Sequence, residues 1–246
     1  MKPYKRVLIK LSGGALSDQN GNSFNNAMLD HIANEVLSII ESNIEVAIVV
    51  GGGNIFKGKF AQAWGIDRVE ADNIGTLGTI INSLMLRGVF KSKTVRDVRV
   101  MSSIPVTTVA EPYIRLKAIR HLDRGSIVIF GGGNGQPFVT TDYPSVQRAI
   151  EMGCDGILVA KQGVDGVYTE DPKSNGDAKM FKTLNYNDVI SNNIQVMDQS
   201  ALLLARDYQL PVHIFNFEQV GAMRSICLGE QQGTLISAGM TEFMLE

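Results

Sequence analysis

The 246-residue sequence predicts an α/β fold: a mostly parallel sheet with helices covering both faces. Three observations carry this. Short apolar runs alternate along the chain with segments of helical period. Three of those runs end in glycine turns, and the tetrapeptide Gly51-Gly52-Gly53-Asn54 returns unchanged as Gly131-Gly132-Gly133-Asn134. No window approaches the roughly 18 apolar residues that a membrane helix needs.

The elements follow in order. Val7-Leu8-Ile9-Lys10-Leu11 is a buried strand closed by Ser12-Gly13-Gly14. Ala27, Met28, Ile32, Val36, Leu37 and Ile40 then recur every three or four residues, which makes a helix with one face on the sheet. Val46–Val50 is a second strand, ended by the first Gly-Gly-Gly-Asn. A helix is expected over Asn73–Phe90, a strand over Val98–Ser102 and another glycine-ended strand over Ile127–Phe130. Helix Ser145–Met152, strand Ile157–Val159, helix Ser200–Tyr208 and strand Val212–Phe215 complete the alternation. Val164-Asp165-Gly166-Val167-Tyr168 reads as a tight hairpin, because Asp-Gly suits the positive φ of a primed turn. The chain reads as a single domain, 1–246. A soft join near residue 155 would separate an N-terminal lobe, about 1–155, from a C-terminal lobe, about 156–246, with no linker between them.

Composition narrows the function classes. Apolar residues make up 44% and charged residues 20%, with a formal net charge of −2, so no basic footprint argues for nucleic acid. The basic start Met1-Lys2-Pro3-Tyr4-Lys5-Arg6 is followed by an apolar run too short for a signal-peptide core. Cys154 and Cys227 are far apart and read as buried small residues; His31, His121 and His213 are isolated, which argues against a zinc site. The cytoplasm is the expected compartment, with no membrane association.

The glycine turns carry the functional argument. Glycine lets backbone N–H groups approach a ligand that a Cβ would push away. In an open α/β sheet, ligands bind at the carboxyl ends of strands. Gly53 through Lys59 almost spells a phosphate-binding P-loop, but Phe60 stands where Ser or Thr must hold magnesium. The dinucleotide fingerprint fails too, since Phe56 and Gln136 occupy its third glycine positions. Lys10 either snorkels from the strand end or acts as a point charge on transferring phosphates, and its place beside Ser12-Gly13 favours the second role. Thr141 or Asp142 is either the N-cap of the following helix or, with Thr140, part of an anion or ribose site at the helix N-terminus; the residues alone do not choose. Asp198, before the apolar helix at Ala201, is either an N-cap or a group that orders lysines near the phosphates.

Taken together, Lys10-Leu11-Ser12-Gly13, Gly51-Gly52-Gly53-Asn54, Thr140-Thr141-Asp142, Val164–Tyr168 with Asp171-Pro172, and Val196-Met197-Asp198 occur in the order found in bacterial uridylate (UMP) kinases of the amino acid kinase superfamily. Gly233-Thr234-Leu235-Ile236 adds to the resemblance, which runs from about Tyr4 to Ile236. It implies a three-layer α/β/α sandwich with the phosphate acceptor in the N-terminal lobe and ATP in the C-terminal lobe. It further implies a homohexamer, Mg²⁺ carried mainly by ATP phosphates, UTP inhibition, and formation of UDP from UMP in pyrimidine biosynthesis.

By the same resemblance, Lys10, Leu11, Ser12 and Gly13 would line the ATP phosphates, with Gly53 on ATP and Gly52 on UMP. Lys57 would lie at the phosphates between the nucleotides, where the family usually has arginine. Asp72 would hold the UMP ribose. The loop Asn134, Gly135, Gln136, Pro137, Phe138, Val139, Thr140 and Thr141 would wrap the uridine. Gln162, Tyr168 and Asp171 would hold adenosine, and Asp198 would sit by Lys10, so that Lys10, Asp198 and Lys57 form the catalytic set. The segment 18–22 lacks the glycine-rich form often linked to GTP. A sister kinase acting on carbamate or an acylated amino acid is the rival expectation, and an idle nucleotide-binding module is another.

Overall fold

The computed structural model describes residues 2–18 and 22–244. One ten-stranded sheet runs through the molecule. Its strands are β1 (Arg6–Leu11), β2 (Glu45–Val50), β3 (Val98–Ser102), β4 (Glu111–Pro112), β5 (Ile127–Gly131), β6 (Gly156–Lys161), β7 (Phe181–Asn185), β8 (Val212–Asn216), β9 (Thr234–Ser237) and β10 (Glu242–Phe243). They lie in the order β10-β7-β9-β8-β6-β1-β2-β5-β3-β4. All neighbours are parallel except β8 with β9 and β10 with β7. The α-helices among the described residues are α1 (Asn26–Glu41), α2 (Gly58–Ala63), α3 (Arg68–Lys93), α4 (Arg115–Asp123), α5 (Asp142–Met152), α6 (Tyr186–Ser191), α7 (Gln199–Asp207) and α8 (Ala222–Cys227).

The strands are apolar on both sides because both sides are covered. On one face Val7, Ile9 and Leu11 pack with α1, with Leu86 and Phe90 of α3, and with α8. On the other, Leu8 packs with residues of α4, α5, α6 and α7. This is the three-layer α/β/α arrangement. It also fixes where the charged residues of the strands point. Side chains alternate along a strand, so Lys10 shares the face of Leu8. In β6, Ile157 and Val159 belong to that same face, so Lys161 does too. Both lysines therefore look toward the layer that contains α5.

The six expected strands form where the apolar runs stand. Two helices begin earlier than their apolar period suggests. Asp67 caps α3, its carboxylate accepting from the N–H groups of Val69 and Glu70, so the polar turn Arg68-Val69-Glu70-Ala71 is already helical. α5 begins at Asp142. The expected hairpin at Val164–Tyr168 does not form. Gly166 lacks a positive φ, and Val167 and Tyr168 instead pair with Phe181 and Met180 across a long loop. Gly166 is small for a different reason: a Cβ there would meet the Thr234 Oγ1 at 2.7 Å.

The C-terminal residues complete the sheet. Phe243 stacks on Phe181 with ring centroids 4.7 Å apart, and the Met244 N–H donates to the Met180 carbonyl. Leu245 and Glu246, and Gln19 to Gly21 in the segment 18–22, lie outside the described residues. Trp64, 69% exposed, follows α2 and stacks on Phe60. Cys227 is buried and Cys154 half-buried, and burial pushes both thiols up to about 12. Among the described residues no helix is long and apolar enough to cross a membrane.

Candidate active site

The loops after β1, β2 and β5 meet at the carboxyl end of the sheet. The Gly51 N–H donates to the Leu11 carbonyl at 2.9 Å. A Cβ on Gly13 would stand 2.5 Å from the Gly53 nitrogen, and one on Gly51 would stand 3.0 Å from the Gly13 nitrogen. These contacts exist only because the residues are glycines.

The two Gly-Gly-Gly-Asn runs share a sequence and not a backbone. None of Gly51, Gly52 and Gly53 has a positive φ. Gly52 is required by proximity, since its Cβ would fall 2.3 Å from the Gly75 carbonyl oxygen of α3. In the second run Gly132 and Gly133 take φ of 79° and 55°, and Gly135 follows at 79°. That left-handed stretch turns the chain away from β5, and the Gly132 N–H donates to the buried Thr79 hydroxyl at 2.8 Å. The asparagines differ as well. Asn54 exchanges amide hydrogen bonds with Asn82 of α3 and donates to the Ser23 carbonyl. Asn134 accepts from the Gln136 N–H in a local turn.

Between these loops lies a cleft of about 210 Å³. Of the residues expected to bind the acceptor, Gly52, Asp72, Asn134, Gln136, Val139, Thr140 and Thr141 line it, and Gly53 joins them. Gly135, Pro137 and Phe138 belong to the same loop without lining the cleft, although the Phe138 N–H donates to Asp72 at 2.8 Å. The inner wall is α3, through Gly75, Thr76 and Thr79, together with Phe56. Sequence reasoning missed these; the signal was Gly78 inside a helix, where glycine is costly unless something packs close, and a Cβ there would meet the Gly52 carbonyl oxygen at 3.2 Å.

Lys10 is 9% exposed, and its Nζ lies 2.8 Å from Asp142 Oδ1. Asp142 Oδ2 accepts from the Asp198 N–H at 3.1 Å. Asp198 Oδ2 in turn accepts from the Thr140 hydroxyl at 2.5 Å. Asp198 thus stands in the cluster, one link removed from Lys10. Asp142 does not cap α5: the cap position is Thr141, without a side-chain hydrogen bond, and the Asp142 carboxylate turns inward. Lys161 completes the group, its Nζ donating to the Val196 carbonyl at 2.8 Å. Burial, and then the like charge of Lys10, lower the Lys161 pKa below the ordinary lysine value, while Asp142 opposes the shift. Lys161 carries the signal that singled out Lys10, a cation ending an apolar run.

The remaining expected residues lie elsewhere. Ser12 caps the short turn Gly13–Leu16, its hydroxyl accepting from the Ala15 N–H. Lys57 is exposed just before α2, outside the cleft lining. Gln162, Tyr168 and Asp171 follow β6. Gln162 donates to Glu218 at 3.2 Å, and Asp171 accepts from the Lys173 N–H in a turn of its own. Burial, then Asp165, raises the Tyr168 pKa.

The arrangement can hold phosphates between cations and bare N–H groups, and can offer an acceptor-only carboxylate, Asp72, to a hydroxylated group. Among the described residues no three His, Cys, Asp or Glu side chains gather to hold an ion. Asp142 and Asp198 are hard oxygen donors beside Lys10, a set suited to a divalent cation that keeps phosphate and water ligands.

The amino acid kinase family model matches residues 5–216. The uridylate kinase of Frankia alni (strain DSM 45986 / CECT 9034 / ACN14a) is 56% identical over 236 residues, covering 96% of this chain and 92% of that protein. The uridylate kinase of Rickettsia bellii (strain RML369-C) is 47% identical, covering 95% and 97%. Among solved structures, the UMP kinase from Bacillus anthracis superposes with a TM-score of 0.98 at 72% identity, covering 99% of this chain and all of that one. The UMP kinase from Ureaplasma parvum gives 0.89 at 30% identity, covering 96% of this chain and all of that one.

Proposed function

Since the chain belongs to the amino acid kinase family, among its bacterial uridylate kinases, we propose that the cluster around Lys10 and the adjoining cleft transfer the γ-phosphoryl group of ATP to UMP. The activity is that of a UMP-phosphorylating kinase, giving UDP and ADP. The 2.8 Å contact between Lys10 and Asp142, beside a cleft that Asp72 helps to line, is the observation that carries the assignment of residues.

An oxygen of the UMP phosphate attacks the γ-phosphorus of ATP in line. The new O–P bond forms as the bond to the β-phosphate oxygen breaks, and its electron pair leaves with ADP. The attacking phosphate is already anionic near neutral pH, so no strong base is required. Catalysis then rests on positioning and on offsetting charge. Lys10 and Lys161 bring positive charge from adjacent strands, and Asp142 fixes Lys10. Lys57 approaches from the loop before α2. N–H groups of Gly13, Gly52 and Gly53 meet phosphate oxygens. Asp198 positions Asp142 and Thr140. Leu11 and Ser12 flank the donor phosphates, and Gln162, Tyr168 and Asp171 take the adenosine. Gly52, Asp72 and the loop 134–141 take the UMP. The N-terminal lobe, about 1–155, thus serves the acceptor and the remainder serves ATP.

A divalent metal accompanies ATP, and Mg²⁺ is the ion proposed, held chiefly by nucleotide phosphates with Asp142 and Asp198 as the nearby carboxylates. When bound it would supply positive charge to offset the charge of the nucleotide phosphates. The homohexamer and cytoplasmic placement belong to the same proposal. Exposed Leu77, Ile81 and Met85, spaced by one helical turn along α3, support association with a second copy.

Coupled ADP release, measured in parallel with UMP, CMP, dCMP and an acylated glutamate, tests the function. Turnover with UMP well above the others is expected. Turnover of the glutamate derivative without UMP turnover would overturn it.

A further inference from the structure

Asp72 does not stand alone in the cleft. The Arg68 Nε–H, one helical turn earlier in α3, reaches both carboxylate oxygens, at 2.9 Å to Oδ1 and 2.8 Å to Oδ2. The Phe138 N–H, from the loop after β5, donates to Oδ2 at 2.8 Å. The Arg68 guanidinium carbon lies 5.7 Å from the centre of the Phe138 ring. Phe138 itself has φ of 64°, a left-handed conformation that bulky side chains rarely adopt. Three groups from two separate elements are thus tied into one unit.

Stability does not explain this unit. The Arg68 side chain is 61% exposed, and an exposed i,i+4 pair contributes little to folding. Phe138 is also largely exposed, so its ring gains little by burial where it stands. What the contacts do is orient a carboxylate. An ionised carboxylate only accepts hydrogen bonds and offers about four acceptor sites. Phe138 and Arg68 share Oδ2, whereas among the described residues Oδ1 accepts from Arg68 alone and keeps capacity for a ligand in the cleft that Asp72 lines. A carboxylate repels phosphate and suits hydroxyl donors.

Resting on the reading of Asp72 as the sugar-binding group, we propose that Arg68 is a positioning residue for the acceptor's ribose. It holds Asp72 and the Phe138 end of the second glycine loop in register, so that Asp72 meets the ribose hydroxyls in one orientation. Arg68 then governs acceptor KM and the preference for a ribonucleotide over its 2′-deoxy analogue, without acting on the transferred phosphoryl group.

Steady-state kinetics with UMP and dUMP on the full chain, for Arg68→Ala, Arg68→Lys, Asp72→Ala and the Arg68→Ala/Asp72→Ala double variant, test this. Arg68→Ala is expected to raise the UMP KM about tenfold, the scale of one charge-assisted hydrogen bond. Its kcat, its KM for ATP and its melting temperature should stay near those of the parent. The UMP-to-dUMP preference should fall toward that of Asp72→Ala. Arg68→Lys should recover part of the loss, and the double variant should be no worse than Asp72→Ala alone. If Arg68→Ala keeps the parent's UMP KM and sugar preference while Asp72→Ala loses both, the role of Arg68 is overturned and the reading of Asp72 stands. If Asp72→Ala also keeps the parent's preference, the ribose reading falls and this proposal with it. A drop in kcat at unchanged UMP KM would place Arg68 at the phosphoryl group and overturn the proposal as well.

Discussion

Lys10 Nζ and Asp142 Oδ1 lie 2.8 Å apart although one ends a strand and the other begins a helix far along the chain. Both side chains are mostly withdrawn from solvent, at 11% and 16% exposure, so the pair is held by the fold rather than by its own attraction. A held ammonium offsets developing charge without reorganising at the moment of transfer. Asp142→Asn keeps the shape and an acceptor for the Asp198 N–H while removing the charge that fixes Lys10. Its kcat at saturating UMP and ATP is expected to fall about 10²-fold, the scale for disturbing one preorganised group. Nucleotide KM values should move far less. An Asp142→Asn protein with the parent's kcat would remove Asp142 from the catalytic cluster.

Lys161 gives the site a dependence on alkaline pH. Its pKa is lowered from 10.5, first by burial and then by the like charge of Lys10, against the pull of Asp142. A lysine with a lowered pKa gives up its proton at a lower pH than a free one. The alkaline limb of the kcat profile should therefore fall before 10.5. Lys161→Arg keeps its charge throughout that range and should move the limb upward. Asp142→Asn removes the opposing influence and should move it down. A limb that ignores both substitutions would assign the alkaline loss to another group.

His213 predicts a stability change in acid. It is 2% exposed in β8, bonded through Nε2 to the Tyr4 hydroxyl at 2.8 Å, and burial pushes its pKa down to about 4 from 6.5. The unfolded chain takes up this proton near 6.5 and the folded chain only near 4, so between those values the unfolded state binds more protons. Stability is thus full above 6.5 and declines as pH falls toward 4, by up to about 3 kcal/mol for this group. Thermal melts of the parent and of His213→Gln at pH 7 and pH 5 check it. The parent should lose more melting temperature across that interval. Equal losses would show that other groups dominate acid unfolding.

The central fold was legible because its strands are buried on both faces and read as apolar runs. β4, β7, β9 and β10 were not, since they lie toward the two ends of the sheet, are short or carry polar residues, and depend on contacts such as Phe243 on Phe181. The site was legible in part. Lys10 and the glycine runs announce themselves locally. Asp142 does not: its sequence position suits an N-cap, and only the layer that brings α5 over β1 turns its carboxylate to Lys10. Lys161 had the same local signal as Lys10 but no glycine turn with a matching motif beside it. Arg68 was hidden because the apolar period of α3 begins after it, so the residue looked like loop. The Val164–Tyr168 hairpin failed because Asp-Gly permits a primed turn without requiring one, and long-range pairing with Phe181 prevailed.

The repeated tetrapeptide allows structural and functional glycines to be separated. Gly52→Ala would place a Cβ 2.3 Å from the Gly75 oxygen and 3.0 Å from the Thr79 nitrogen, both backbone atoms of α3 that cannot rotate aside. It should cost about 3 kcal/mol and lower the melting temperature. Gly133→Ala faces no close neighbour but must keep φ of 55°, which costs about 1 kcal/mol. Gly53 has neither a positive φ nor any atom within 4 Å of its Cβ position, so Gly53→Ala should melt within about 0.5 kcal/mol of the parent. If its N–H approaches phosphate, that same substitution should still lower kcat/KM for ATP, because the methyl group stands where the ligand comes close. Melting curves and ATP kinetics on the three variants decide the matter. A Gly53→Ala protein with unchanged ATP kinetics would remove Gly53 from the site, and a Gly52→Ala protein as stable as the parent would show that α3 yields where its packing says it cannot.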